Sequence, residues 1–261
     1  ATPGVGSTVH ASLVTHAEAN RRIALLSSDE TDSIANVISD AAAVDSDFAG
    51  LFAPWVKINA ATGPRFTSPE GYVAAVRNRA HSSDGPWRSP AGQIAAAKFV
   101  TGLKYDYTRA EGDELDAGKV SAIRVIANLP RLYGWRSLSN DVDNFSLLSA
   151  RDILNYVTTK CEAALEEYVF QTIDAKGHLL SAVHGALVGV MQPIANANGV
   201  FAKYDANKEE VDPGYLVDTD SVNTIDNLAL NEVRALVSLR PSPSAALISV
   251  TIVKVGLLSG L

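Results

Sequence analysis

The side chains that most often carry out chemistry are few and scattered in this sequence. Its histidines are His10, His16, His81, His178 and His184. His178 and His184 lie six residues apart, whereas two metal ligands on one helix face need a spacing of four. The single cysteine, Cys161, lies on an apolar helical stripe, which is typical of a buried and unreactive thiol. With no Gly-x-Ser-x-Gly elbow and no phosphate-binding loop, the sequence predicts no catalytic residue set and no cofactor.

The acidic stretch DANKEEVD is the nearest approach to a metal site. Asp205, Asn207 and Glu209 have the spacing that opens a calcium-binding loop. However, Glu210 occupies the position that needs glycine, and Leu216 occupies the position that needs a bidentate glutamate. The stretch therefore indicates a solvated acidic turn, and we predict no metal site.

A Trp-Arg pair occurs at two glycine-flanked turns, GPWRSPAG and YGWRSLSND. The pairs are Trp87 with Arg88 and Trp135 with Arg136. A large aromatic ring beside a fixed cation can hold an anion, lock loops together or contact another subunit. Trp and Arg are enriched both in cores and at interfaces, so at this point the alternatives stay open.

The length and composition indicate a folded protein of one large domain or two small ones, and the mild acidity suits a solution protein or a partner with a basic face. The chain has 261 residues, of which 47% are hydrophobic, and a formal net charge of -7, which does not favour nucleic-acid binding. One cysteine allows no intrachain disulfide, so a reducing compartment is expected. We expect no membrane helix, because no apolar run approaches about 20 residues. The start is not a signal peptide and lacks an initiator Met, so we expect a processed chain or a piece of a longer one.

The elements that must position these residues are helices and strands in mixed order. Apolar spacing predicts helices capped by Asp32 or Ser33, capped by Ser68 before Pro69, starting near Ser149, and running from about Leu179 to Met191. Strands are predicted in GLFAPWVKINAATGP, in SAIRVIANLP and in the alternating tail, and short strands and loops between positions 85 and 147. Without a regular βαβ rhythm, we predict an α+β fold in which helices flank a mixed sheet.

Several stretches, taken in order, resemble the contractile tail sheath proteins of bacteriophages and related injection systems. LFAPWVKI is similar to the family's YYPWL segment, GPWRSPAG to GVWKAPAN, and YGWRSLSND to WGARTLSSD. Between them, a pattern of an acidic turn, LN and GIN.IR has its places occupied by Leu115, Asp116, Gly118, Lys119, Val120 and Arg124, and SARDILNYV keeps Arg151 of NVRRL. The agreement covers roughly positions 50 to 260. The departures at Gly92, Trp135 and Asp116 indicate a distant member.

The resemblance implies a structural subunit rather than an enzyme. Such subunits form stacked hexameric rings around a tail tube and contract to drive the tube through the host envelope, with no cofactor. The chain would be one inner domain over 1–261, with a truncated N-terminal arm and a C-terminal arm or strand at 245–261. Strands exchanged between subunits would link the rings. In this chain Ile248, Val250 and Ile252 would form that inter-subunit strand, unless the tail is an ordinary central strand of its own sheet.

The resemblance also implies partners and contacts. Trp87 and Trp135 would anchor loops, and Arg88 and Arg136 would pair with carboxylates of the same or a neighbouring subunit. Arg234 and Arg240 are candidates for contact with the tail tube protein. The baseplate and tail terminator would meet the sheath ends, with no nucleic acid and no direct membrane insertion. The expected location is the virion tail, assembled in the bacterial host cytoplasm.

Two other functions stay open. An α/β enzyme such as a hydrolase would need a deep pocket with converging polar groups, which no motif here specifies. A non-contractile module, such as a capsid or tube protein, would be small and rich in strands, and the long helices within 149–191 argue against it. An enzyme would remain a small soluble particle, whereas a sheath subunit would polymerise.

Overall fold

The fold is described by a computed structural model that covers residues 9–96 and 99–246. In these ranges the helices are α1 (His10–Ala19), α2 (Ile34–Ala42), α3 (Glu70–Ser83), α4 (Arg109–Ala117), α5 (Val142–Phe145), α6 (Leu148–Leu165), α7 (His178–Asn196) and α8 (Ile225–Ala229). The strands are β1 (Ala24–Ser27), β2 (Ala49–Ala53), β3 (Val56–Ala60), β4 (Gly63–Thr67), β5 (Val100–Leu103), β6 (Val120–Ile126), β7 (Leu129–Leu132), β8 (Lys203–Tyr204), β9 (Glu210–Asp212), β10 (Tyr215–Asp218) and β11 (Leu236–Leu239).

A four-stranded sheet in the order β1-β2-β6-β7 forms the centre of the molecule. β1, β2 and β6 run parallel, with Leu26 beside Leu51 and Leu51 beside Val120, and β7 pairs antiparallel with β6. The predicted α+β class, with helices around a mixed sheet, is confirmed. The parallel pairing was not predicted, because the long β2-to-β6 connection contains its own small sheet and two helices, which hides the βαβ rhythm.

Each face of the central sheet is covered by a different set of elements. On one face, Val14 of α1, Val37 of α2 and Leu115 of α4 pack against Leu51. On the other face, Val73 and Val76 of α3 meet the small antiparallel sheet β4-β3-β5 and the ring of Trp135. Parallel strands are stable when both faces are buried in this way, and their near-continuous apolar sequence follows from that burial.

A third apolar core lies between α6, α7 and the two-stranded sheet β10-β11. Ile153 and Val157 of α6 contact the stripe of Leu187 and Met191 on α7, and Val217 of β10 closes the core. By length and mean hydropathy alone, α7 passes as a membrane span, so the expectation that no segment approaches that size was too strong. One face of α7 packs against α6, and 28% of its apolar stretch is buried, as in a helix that covers a core with one side.

The ends of several elements differ from the sequence predictions. Ser33 caps α2 as predicted, accepting a hydrogen bond from the amide of Asn36 at 3.3 Å. The predicted cap at Ser68 is wrong, because Pro69 occupies the cap position and the buried Ser68 hydroxyl has no hydrogen-bond partner within 9–96 and 99–246. α7 continues to Asn196 and includes Pro193, which the prediction had placed beyond the helix.

Two stretches contain more regular structure than their sequences predicted. GLFAPWVKINAATGP, predicted as one strand and a turn, provides β2, β3 and the start of β4. The stretch between positions 85 and 147 contains α4, which begins with a capping box: Thr108 accepts from the Glu111 amide, and Glu111 accepts from the Thr108 amide at 2.7 Å. α4 was not predicted because its sequence contains few apolar residues and so shows little helical periodicity; only Gly112 and Leu115 are buried.

Candidate functional site

The YGWRSLSND stretch crosses the centre of the molecule, and Trp135 is its most buried residue. The Trp135 side chain is 1% exposed, and its ring centre lies 5.5 Å from that of Phe52. Its indole Nε1 donates a hydrogen bond to Oδ2 of Asp152 on α6 at 3.3 Å. Trp135 therefore joins the central sheet to the start of α6.

Asp152 gathers several donors in an interior where an unpaired carboxylate would be costly. Its side chain is fully buried and also accepts a hydrogen bond from Nε of Arg77 on α3 at 3.2 Å. His81, one turn further along α3, places Nε2 3.6 Å from Oδ2 of Asp152. Breaking such a buried pair is expensive, because the remaining charge loses its partner without regaining water. Asp152 thus fastens α3, α6 and the Trp135 turn together.

Arg136 makes a two-point ion pair with a carboxylate of its own chain. Its Nε and Nη2 donate to the two carboxylate oxygens of Asp116 at 2.7 and 2.6 Å. Its backbone amide donates to Oγ of Ser121 at 2.9 Å. The hydrogen bonds to Asp116 raise the pKa of the guanidinium, which keeps it charged. Bidentate geometry gives directional strength, so the pair holds the end of α4 against the turn.

The remainder of this stretch is tied to the start of β2. The Leu138 amide donates to the carbonyl of Ala49 at 3.0 Å, and the Asn140 amide donates to Oδ1 of Asp45 at 2.8 Å. The hydrogen bonds from Asn140 hold the pKa of Asp45 below its usual value. Asp141 then caps α5. Successive residues are each bound to a different element, so the whole stretch acts as an internal fastening.

Trp87 is positioned by two glycines. A side-chain carbon at Gly85 would lie 2.5 Å from the Trp87 ring, and one at Gly199 would lie 2.8 Å from it. Gly85 also has φ +105°, which a side chain would strain. The half-buried ring packs against the third core, whereas exposed Arg88 lies 3.7 Å from Asp84. Trp87 therefore joins its turn to α7, while Arg88 remains largely in water.

The other predicted contact residues lie far along the chain. Arg240 donates to Oδ2 of Asp212 at 2.8 Å and to the carbonyl of Phe201 at 2.9 Å, and the bond from Arg240 lowers the pKa of Asp212. Arg234 pairs with Glu232 at 2.7 Å on the surface. Their contact with a tube stays a prediction, as do interface roles for the two Trp-Arg pairs. Ile248, Val250 and Ile252 lie outside the described residues.

The described part of the chain contains few of the features expected of a catalytic site. Within 9–96 and 99–246, no group of three or more His, Cys, Asp and Glu side chains is placed to hold a metal ion. Burial raises the pKa of the Cys161 thiol, which disfavours the reactive thiolate. One opening of about 210 Å³ is mainly apolar and lies between β3, β4 and α3. The stretch DANKEEVD forms a turn in which Oδ1 of Asp205 accepts from two backbone amides at 2.8 Å.

Two positioning residues were missed by the sequence analysis. Asp152 lies on the apolar face of α6 beside Ile153, and a charge on such a stripe was a usable signal. The apolar spacing of α3 indicates that Tyr72 is buried but not what its hydroxyl does: it donates to the carbonyl of Ala95 at 2.6 Å and accepts from the amide of Leu132 at 2.9 Å. Burial raises the pKa of Tyr72 to about 12, against smaller lowering effects of the Leu132 bond and of Arg79 and Arg131.

Solved structures of contractile assemblies share this fold. The chain matches the contracted sheath complex of the extracellular injection system PVC over 89% of this chain and 64% of that one, with 20% identity and TM-score 0.76. It matches the contracted helical sheath of the anti-feeding prophage over 95% and 65%, with 17% identity and TM-score 0.74. A sheath tail protein from Desulfitobacterium hafniense matches over 82% and 46%, with 11% identity and TM-score 0.56.

These likenesses define the class of fold. No protein-family model matches the chain, and no curated protein matches it. At the identities above, the structures show a common fold, and it is the fold of sheath proteins from contractile injection systems. The sheath fold that the sequence motifs implied is thereby confirmed. The chain spans 64% of the length of the PVC chain, and 64% of a chain in the anti-feeding prophage baseplate that it matches with TM-score 0.76.

Proposed function

We propose that this chain is a structural subunit of a contractile sheath. It polymerises as stacked hexameric rings around a tail tube, and contraction of the rings drives the tube through the host envelope. The observation that carries the proposal is the match of 89–95% of the chain to sheaths in the contracted state. Because these neighbours are structural proteins, the proposal is favoured over the enzyme alternative.

The internal fastening of the chain suits a part that transmits force. The Trp135 stretch links the central sheet, α4, α5 and α6 through the Arg136–Asp116 pair and the buried Asp152. A subunit with such cross-connections moves as a rigid body, and contraction then changes the contacts between subunits. We propose that residues 1–261 form one such unit, the inner domain of the sheath, with residues 245–261 as its C-terminal arm.

The joint between subunits is an exchanged strand. We propose that Ile248, Val250 and Ile252 pair with the sheet β10-β11 of a neighbouring subunit. Among the described residues, β10 and β11 pair only with each other, so each strand has an unpaired side. Main-chain hydrogen bonds along an open strand edge provide strong attachment without requiring a particular side chain.

Other partners follow from the position of a sheath in the machine. The proposed inner contacts are with the tail tube protein, through Arg234 and Arg240 if these side chains face the tube. Arg240 would have to keep or exchange its bonds to Asp212 and Phe201. The baseplate and the tail terminator would meet the two ends of the sheath. The proposed location is the tail or injection particle, assembled in the cytoplasm of the producing bacterium.

Electron microscopy of the 261-residue chain tests this proposal. We expect ringed tubes from the full chain and discrete particles from a variant that ends at Ala246. Val250→Pro removes one main-chain donor and should also abolish tubes, whereas Val250→Thr keeps the donor and the branched side chain and should preserve them. Discrete particles from the full chain at every concentration would contradict the sheath role. Tubes from the truncated chain would contradict the exchanged strand.

A further inference from the structure

An apolar tip projects from the connection between α6 and α7. Phe170 is 103% exposed, so its ring packs against none of the described residues, and neighbouring Val169 is 53% exposed. A single large aromatic held fully in water loses the free energy that its burial would provide. We call residues 166–174 of this connection the Phe170 tip.

The backbone holds Phe170 outward at a conformational cost. Its φ is +65°, in the left-handed region that a bulky side chain rarely adopts. The turn is fixed by Gln171, whose amide donates to the Tyr168 carbonyl at 3.2 Å and whose side chain donates to the Glu167 carbonyl at 2.8 Å. Tyr168 and Ile173 pack against the third core on either side of the tip. A strained residue that its surroundings hold in place is a signal of function.

An apolar opening of matching size lies elsewhere on the same chain. Val56 and Ile58 of β3, Gly71 and Tyr72 of α3, and Phe99 line a cavity of about 210 Å³, which we call the aromatic pocket. Apolar cavities of about 150 Å³ already accommodate a benzene ring. The rings of Tyr72 and Phe99 meet edge to face at 6.2 Å, and another aromatic ring can stack against such a pair.

The tip and the pocket carry opposite charge. Residues 162–174 include four acidic side chains and no Lys or Arg, and Glu166 and Glu167 next to the tip are exposed. Residues 56–79, which contain most of the pocket, include four basic side chains and one acidic one, but Arg77 is paired with Asp152, and Lys57 alternates with Val56 and Ile58 and so lies on the other face of β3. That acidic one, Glu70, is buried and accepts a hydrogen bond from Ser27 at 2.6 Å. Arg65 lies opposite Ile58 in the β3-β4 register and so shares the face that lines the pocket.

Within one subunit the tip follows the C-terminal end of α6, whereas the pocket lies beside α3, which contacts α6 near its N-terminal end. α6 meets α3 at Asp152, and from there to Leu165 it extends a further ~20 Å at 1.5 Å per residue. The full exposure of Phe170 shows that it does not enter its own pocket. Where such a contact between two different surfaces of one chain is head-to-tail, and not reciprocated within a two-fold dimer, it propagates into rings or helices.

We propose that Phe170 of one subunit inserts into the aromatic pocket of a second copy of this chain. The inference rests on the proposed function, since it assigns one subunit-to-subunit contact of the sheath. The acidic flanks of the tip, Glu166 and Glu167, face Arg65 beside the pocket and fix the orientation of the ring as it enters. Phe170 is the anchor of this contact, and the pocket determines which part of the neighbour it binds.

Two substitutions remove the contact from opposite sides without disturbing the fold. Phe170→Gly deletes the ring and relieves the positive-φ strain, so the thermal midpoint of the single chain should hold or rise. Gly71→Leu adds an apolar side chain at a residue that lines the pocket, and it should be tolerated because a side-chain carbon at Gly71 meets none of the described residues within 4 Å. Each variant should raise the concentration needed for assembly about tenfold or more, as loss of an anchor does. Phe170→Leu, which keeps an apolar side chain, should lie near wild type.

A cross-linking experiment tests the geometry directly. Chains with Phe170→Cys are mixed with chains with Gly71→Cys and oxidised; the native Cys161 is buried. We expect a disulfide between positions 170 and 71 of different chains, identified by mass spectrometry, because the cysteines must approach closely to form it. Absence of this link in samples that assemble would overturn the contact.

The outcomes separate this contact from the sheath role. If wild-type chains form tubes and both variants form them at the same concentration, the contact is wrong and the sheath role stands. If Phe170→Gly weakens only the binding of added tube protein, Phe170 contacts the tube and the contact between copies is again wrong. If no tubes form but the 170–71 link does, the contact stands and the sheath role is wrong.

Discussion

The two Trp-Arg turns share a dipeptide but have different surroundings. At Trp135 the ring is fully enclosed, its Nε1 reaches the buried Asp152, and Arg136 grips Asp116 with two hydrogen bonds. At Trp87 the ring is half-buried between two glycines, and Arg88 lies in water near Asp84. The first turn is fastened by burial and charge together, and the second mainly by the shape of its ring.

The contrast shows that neighbours assign the role of a side chain. A tryptophan stabilises in proportion to the area that it buries, and an arginine does so only where its partner is held in place and partly shielded from water. Trp135 and Arg136 meet both conditions because β6, α4 and α6 converge on their turn. The ring of Trp87 is only half-buried, by its packing toward α7. The partner of Arg88 is neither held in place nor shielded from water.

The largest expected effect comes from Trp135, and Trp87 is its comparison. Trp135→Ala should lower the free energy of unfolding by about 4 kcal/mol, because it leaves a cavity in the core and removes the hydrogen bond to Asp152. Trp87→Ala should cost about 2 kcal/mol, since its ring is only half-buried. Urea unfolding of both variants measures the difference. Equal losses would show that the two turns are equally enclosed.

The next effect concerns the carboxylates beside the two turns. Asp152→Ala should cost about 3 kcal/mol, because the Arg77 guanidinium and the Trp135 indole lose their common acceptor in the interior. Asp84→Ala, near Arg88, is the matched control and should stay within about 0.5 kcal/mol of wild type. Equilibrium denaturation provides both values. A tolerated Asp152→Ala would mean that water replaces the carboxylate there.

The two arginine substitutions should also differ in the free energy of unfolding that they cost, with the larger cost again at the Trp135 turn but a smaller difference. Arg136→Ala should cost about 1 kcal/mol, because its ion pair is bidentate but Asp116 is 41% exposed and screened. Arg88→Ala should cost less than about 0.5 kcal/mol. Repeating the unfolding in high salt should shrink the Arg136 effect. A larger cost at Arg88 would indicate a partner outside the single chain.

The smallest effect is a pH dependence at the end of the Trp135 stretch. The pKa of Asp45 is lowered in the folded chain by hydrogen bonds from Asn140, so its contribution to stability is present above the ordinary value of 3.8. That contribution is lost as the pH falls below 3.8 through the lowered pKa. Asp45→Asn should therefore be less stable than wild type at about pH 6, and the difference should narrow toward about pH 3. A difference that is constant with pH would exclude this titration.

The helices that could be predicted are those marked by short sequence patterns. Ser33 before an apolar 3–4 repeat predicted α2, and the long stripe around Ile153 and Val157 predicted α6, because both patterns act over one or two turns. α4 was missed because so few of its side chains are apolar, and α7 was shortened because Pro193 was expected to end it. The parallel order of β1, β2 and β6 could not be predicted, since it depends on contacts across long connections.

By itself the sequence determined the residue types, the mixed helices and strands, and an ordered set of motifs specific enough to indicate the sheath fold. It also placed a tryptophan beside an arginine at two turns. Only the tertiary structure decided that Trp135 reaches Asp152, that Arg136 meets Asp116, and that Phe170 stands free at a tip. The physical reason is that burial and electrostatic strength depend on which distant segments meet, and that information is not present in any local stretch of chain.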